Sequence, residues 1–368
     1  MTMNHHNNII SYTRNCLDTF DVRPFCSVDS LILAAAAYIH FPAVLPNVGN
    51  FRGMRLQELY RAEYFEEMFR NIPLFHGTNE LFFAMAASPR FRDIRVMNYT
   101  EQYDAVSEKQ FSAVTFQIHP DLCYIAFRGT DATFIGWKED FNMAFKSPIP
   151  SQEEAVRYLE KSALYCSGKI LTGGHSKGGN LAVYAAAMCR ENVKSRIEKV
   201  FSHDGPGFLE TTLQSREFQQ IASRVEKTLP QSSIVGMLLE HQENFQIVKS
   251  SRTGLLQHDQ FSWIVENNDF VYIESLTKDA KYADRILTDW LKKISEEDRE
   301  RFVDSLYSIL NANNLTSWED FRTDWQTALP ASFHAATQLD ADTRKFLLRT
   351  LKELAAMGLK NMSPFSKI

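Results

Sequence analysis

The chain has 368 residues, 44% hydrophobic and 23% charged, with a formal net charge of −5. That composition excludes a disordered chain, and the acidic balance gives no footing for a nucleic-acid partner. Five cysteines without a Cys-x-x-Cys spacing argue against a disulfide framework or a zinc site and fit reduced thiols in the cytoplasm.

The N-terminal stretch MTMNHHNNII lacks the basic and apolar regions of a signal peptide. The apolar run Leu31 to Ala37 is too short to span a bilayer, so a cytoplasmic location with no transmembrane segment is expected. Ser27-Val28-Asp29 predicts a helix start with the helix running to Tyr38, and Met54 to Asn71 carries apolar residues at helical spacing. Residues 1–92 therefore read as helical and are expected to pack over a sheet edge.

From Ile94 onward, short β-rich runs alternate with helical stretches. Strands are expected at Phe111 to Ile118, Cys123 to Phe127, Lys169 to Thr172, Lys199 to Ser202 and Phe245 to Lys249. This pattern predicts an α/β fold, a mostly parallel sheet with covering helices, over residues 1–275. Residues 276–368 read as a helical C-terminal region that docks on the main domain. There Tyr282, Ile286, Leu287, Trp290, Leu291 and Ile294 recur at helical spacing, and Ser295 to Asp298 resembles a capping box opening a helix with Phe302, Val303, Leu306 and Leu310 on one face. The Lys352 to Lys360 stretch offers only a weak membrane-surface face, and a core-packing helix is the preferred reading.

The sharpest chemical signal is Gly174-His175-Ser176-Lys177-Gly178, with a β-rich run before it and a helix-forming run after it. In a nucleophile elbow, small residues two positions either side of the serine let strand and helix approach while the serine is held in a strained turn. A phosphate-binding loop would end in Gly-Lys-Ser/Thr, where Gly178-Gly179-Asn180 stands instead. Gly179 also occupies the lysine position of a Ser-x-x-Lys motif. Upstream, the strand ending in Phe127 runs into Arg128-Gly129-Thr130-Asp131. This is the expected oxyanion hole, with the Thr130 and Lys177 N–H groups as donors and the Thr130 hydroxyl as a possible second bond from the same residue.

Phe127-Arg128-Gly129-Thr130 with the following Trp137 and Asp140, then Gly174 to Gly179, resembles the class 3 (fungal-type) lipases. Three further segments, Asp204-Gly205-Pro206-Gly207-Phe208, Ser233 to His241 and Gln257-His258-Asp259, resemble the Mbeg-like bacterial family of predicted α/β-hydrolases. The resemblance runs from about Ile10 to Val265. It implies the α/β-hydrolase fold and a serine hydrolase mechanism without implying a substrate.

The general base is expected among the histidines after the serine, namely His203, His241, His258 and His334. His258 is preferred because it follows a β-rich run in a loop-like stretch and matches the position of the class 3 lipase histidine. Those lipases place aspartate where Ser233 stands here. Asp204, at the end of the strand after the elbow helix, is the substitute acid, with Glu240 and Asp259 as alternatives.

The expectation is an esterase/lipase-like serine hydrolase acting on a small acyl or lipid substrate, with no cofactor and no metal. Its rival is a catalytically retired hydrolase fold serving as a binding or regulatory protein.

Overall fold

The computed structural model describes residues 7–42, 53–70, 72, 74–131, 133–143, 146–239, 244–278, 280–281, 295–310 and 325–359. Period-two alternation organises the centre. In β3 (Lys109–His119) Val114 and Phe116 face one core while Phe111 and Ala113 face the other. In β4 (Leu122–Phe127), Tyr124 and Ala126 oppose Cys123, Ile125 and Phe127 in the same way. Strands buried on both faces read as near-continuous apolar runs, which is why these two stand out in the sequence.

The main sheet runs β1 (Met54–Arg55), β2 (Arg95–Asp104), β3, β4, β5 (Lys169–His175), β6 (Ile197–His203), β7 (Val225–Pro230), β8 (Phe245–Val248) and, at the far edge, β11 (Tyr272–Ile273). Strands β4 to β8 are parallel, and the pairings outside them are antiparallel. Between β8 and β11, β9 (Val265–Glu266) and β10 (Asp269–Phe270) form a separate two-stranded ribbon. The fold is an α/β-hydrolase-like one, with a parallel centre and antiparallel flanks. Strands β1, β2, β7, β9, β10 and β11 are additions to the expected set.

The N-terminal helices cover a face of the sheet, not its edge as expected. Helix α2 (Ser27–Ala36) lies against β4, β5 and β6, and every one of its residues is buried. A helix apolar on all sides belongs in a core, which accounts for the Leu31 to Ala37 run. Its cap is Cys26, whose N–H donates to the Asp29 carboxylate at 2.9 Å. Asp29 also takes both arms of a wholly buried Arg90 at 2.6 and 2.8 Å. Three backbone carbonyls and the Tyr12 hydroxyl complete this network, which locks α1 (Ile9–Asn15) and α2 to the segment after α4 (Phe75–Ala87). Met54 to Asn71 divides into β1, a short 3-10 turn and α3 (Ala62–Met68), with Asn71 itself outside the described residues.

The opposite face carries α6 (Pro150–Ala163) and α7 (Lys177–Met188). Beyond the sheet, a helix spans Glu296–Leu310, capped as expected by the Ser295 hydroxyl, which accepts from Asp298 N–H at 3.1 Å. Its Phe302 and Val303 pack with Phe346 and Leu347 of the helix Ala341–Leu359. The same helix lies on α5 (Phe134–Asn142), with Lys138 paired to Asp304 at 2.8 Å. Residues 282–294, where Tyr282 to Ile294 suggested a helix, lie outside the described residues. No helix among the described residues is long and apolar enough to cross a membrane.

Candidate active site

Ser176 stands between β5 and α7 with φ 59° and ψ −134°. A residue with a side chain pays on the order of 1–3 kcal/mol to adopt such a backbone, and the surroundings must hold it there. Here Ser176 N–H donates to the His203 carbonyl of the neighbouring strand at 2.9 Å. The flanking glycines let the turn close: a Cβ on Gly174 would collide with the Gly178 backbone, and one on Gly178 with the Phe127 carbonyl.

His258 closes a short 3-10 turn, Gly254–His258, over the C-terminal ends of the parallel strands. Its Nε2 lies 3.0 Å from Ser176 Oγ and its Nδ1 lies 2.6 Å from Asp204 Oδ2. A carboxylate accepts, so Nδ1 carries the proton and Nε2 is free to take one from the serine. Asp204 follows β6 directly and is almost wholly buried. Its N–H is tied to the Thr228 carbonyl of β7 at 2.8 Å. Its other oxygen, Oδ1, accepts from Ser233 Oγ at 2.5 Å and from Gly236 N–H at 3.1 Å. The serine at position 233 therefore supports the carboxylate from the neighbouring strand end.

The remaining candidates lie apart. His203 is buried between Thr228 Oγ1 at 2.7 Å and Ser30 Oγ at 2.9 Å, and burial pulls its pKa down to about 3, marking a structural imidazole. Asp259 pairs with Arg252 at 2.6 Å and accepts from Phe261 N–H, so its carboxylate is engaged away from the imidazole. His334 is exposed on the helix Trp325–Gln338. Glu240 and His241 lie outside the described residues.

Thr130 and Lys177 border the serine. Lys177 is the first residue of α7, so its N–H belongs to the first turn, which has no intrahelical acceptor. The Lys177 side chain turns inward and is buried, bonded to Glu139 at 3.0 Å and to Gln110 Oε1 at 2.7 Å. Thr130 follows Gly129, which packs on Ser176: a Cβ there would stand 3.2 Å from Ser176 Cβ. The expected second bond from the Thr130 hydroxyl is corrected by the geometry. Its single proton is given to Asp140 Oδ2 at 2.5 Å, which leaves the backbone N–H as this residue's donor. Burial, outweighing the nearby Lys177, raises the Asp140 pKa to about 6.

Sequence reading passed over His175. Its ring lies 4.6 Å from that of His258, and its Nε2 donates to the His258 carbonyl at 2.8 Å. Burial, the largest cause, and the neighbouring His258 hold its pKa well below the ordinary value, so it is a neutral strut. Position 175 lies inside the elbow motif, but nothing in the spacing marks it as a support for a residue so distant in sequence.

The family described as Mbeg1-like matches residues 85–308. The chain belongs to this family. The motifs around Ser176, Asp204, Ser233 and His258 all fall within the Mbeg1-like match, whereas α1 and α2 precede it. No curated protein matches. Among solved structures, a fungal lipase–inhibitor complex is 15% identical, covering 61% of this chain and 78% of that one at a TM-score of 0.38. The native Rhizomucor miehei lipase propeptide complex is 14% identical, covering 61% and 81% at 0.31. A triacylglycerol lipase from Penicillium expansum is 14% identical, covering 50% and 75% at 0.31.

Proposed function

We propose that this Mbeg1-like protein is a serine hydrolase that cleaves an ester or related acyl bond. The carrying observation is the continuous chain Ser176 Oγ, His258 Nε2, His258 Nδ1, Asp204 Oδ2, with links of 3.0 and 2.6 Å. A strained serine at the strand-to-helix turn supports the same reading.

In the proposed mechanism His258 Nε2 removes the Ser176 hydroxyl proton as Oγ bonds to the acyl carbon, and the carbonyl π pair moves onto oxygen. Asp204 holds the imidazole in the required tautomer and stabilises its charged form. The Thr130 and Lys177 N–H groups receive the oxyanion. Collapse expels the leaving alkoxide, which takes the proton from His258. Water, deprotonated by the same imidazole, then releases the acid and frees the serine.

The proposed substrate is a small acyl or lipid ester, and the proposed location is the cytoplasm, which suits five unpaired thiols. The retired-hydrolase reading drew on the serine at position 233, and the Asp204 contact with His258 Nδ1 weakens it.

Hydrolysis of p-nitrophenyl esters of graded chain length tests the proposal. Wild-type protein is expected to turn over, and Ser176→Ala to lose that turnover by on the order of 10⁶-fold in kcat. Equal rates for the two proteins would remove the assignment.

A further inference from the structure

Helix α2 lies outside the matched family segment, yet the chain just beyond its end reaches the nucleophile. Tyr38 follows α2 after a single intervening residue and is 7% exposed. Its hydroxyl lies against Gly129: a Cβ on that glycine would run into Tyr38 Oη while standing 3.2 Å from Ser176 Cβ and 2.7 Å from the His175 carbonyl. The vacant Cβ position of Gly129 is thus bordered by both the phenol oxygen and Ser176 Cβ, which puts the hydroxyl beside the turn that carries the serine.

The hydrogen bonding leaves this hydroxyl with a proton to give. The phenol oxygen stands against the Gly129 backbone. Among the described residues no protein acceptor is paired with the phenol proton. Burial raises the pKa of the group well above its ordinary value, so it stays neutral and protonated throughout the working pH range. A neutral donor beside a strained serine, in a low-dielectric wall, suits a site where negative charge develops.

We propose that Tyr38 is a catalytic residue, its hydroxyl donating to the acyl oxygen as a third oxyanion donor beside the Thr130 and Lys177 N–H groups. The inference rests on the serine-hydrolase reading of Ser176. It gives the N-terminal helices a chemical role: they carry a donor to a site whose other parts lie within residues 85–308. Glycine at position 129 is then required twice, for contact with the serine and for room at the phenol.

The test compares wild type with Tyr38→Phe in p-nitrophenyl ester hydrolysis and in inhibition by an aryl trifluoromethyl ketone, which forms a tetrahedral oxyanion on the serine. The expected result is a loss on the order of 10²-fold in kcat with KM unchanged, and a matching loss of ketone affinity. A tyrosine that merely packs the loop would leave ketone affinity in step with KM. Should Tyr38→Phe fold poorly, difluorotyrosine placed at position 38 alone keeps the shape and lowers the phenol pKa. A new alkaline loss of kcat is then expected, and an unchanged profile would overturn the proposal. Wild-type kcat in Tyr38→Phe would overturn it while leaving the hydrolase reading intact. Inactive wild-type protein would overturn both.

Discussion

Asp204 Oδ2 lies 2.6 Å from His258 Nδ1, although the two residues are 54 positions apart and come from different strand ends. The contact exists because Asp204, with φ 50°, directly follows β6 beside β7, while the turn 254–258 brings the imidazole back over the parallel strands. Replacing the carboxylate by an amide would let the imidazole hold the wrong tautomer. Asp204→Asn is expected to lower kcat on the order of 10⁴-fold with the fold intact, as read by ester hydrolysis and far-UV circular dichroism.

Ser233 acts through Asp204. Its hydroxyl is one of two donors on Oδ1, and hydrogen bonds to charged groups each contribute about 1.5–3 kcal/mol. Ser233→Ala is expected to lose about that much stability in urea at neutral pH. It should also lower kcat without raising KM, because Gly236 N–H remains to hold part of the carboxylate.

His175 fixes the backbone of His258. Removing its bond to the His258 carbonyl in His175→Leu is expected to cost roughly 1 kcal/mol of positioning, or about fivefold in kcat, at constant KM. His175→Asn, which keeps an N–H donor, should recover part of that loss, a result a purely packing role would not give.

Acid should weaken the fold through its buried imidazoles. His203, with a pKa of about 3 when folded, binds its proton more readily when unfolded. Its contribution is complete above the ordinary imidazole pKa of 6.5 and is lost as pH falls from there towards 3. His175, also depressed, acts in the same direction. Asp140, raised from 3.8 to about 6, acts in the opposite direction over that range, so acidification gains part of the loss back. Asp259, also raised by burial, acts with Asp140, so the test is made on the imidazole itself: the fall of the urea midpoint between pH 6 and 4 should be smaller in His203→Gln than in wild type.

A buried ion pair secures α7 to α5. Glu139 and Lys177, both fully buried, lie 3.0 Å apart. Glu139→Ala leaves the buried ammonium only Gln110 and the more distant Asp140 carboxylate at 3.9 Å, and is expected to cost stability at the low end of about 3–5 kcal/mol, measured by denaturant unfolding.

Much of this was legible because local chemistry demanded it. The elbow shows in sequence since only glycine tolerates the approach of Gly178 to Phe127, and strands such as β3 and β4 show because both their faces are buried. Strand β2 was missed because Thr100 to Asp104 is polar and largely exposed, after a register shift between Met97 and Thr100. Strand β7 was missed because it is short, carries Glu226 and Lys227 and ends in Pro230. The acid was ambiguous for a different reason. Whether Asp204, Glu240 or Asp259 meets His258 depends on which strand ends adjoin, and Arg252, which holds Asp259, carries no signal of that pairing in its neighbours. Tyr38 was invisible as a site residue, since nothing in its local sequence tells that the end of α2 meets the Gly129 turn.

The most direct measurement of the central claim is labelling of the native protein with a fluorophosphonate, with the adduct mapped by mass spectrometry in wild type, Ser176→Ala, His258→Ala and heat-denatured protein. The account predicts one adduct, on Ser176, in native wild type, with none in Ser176→Ala or denatured protein and little in His258→Ala. An adduct elsewhere, or labelling indifferent to His258, would contradict it.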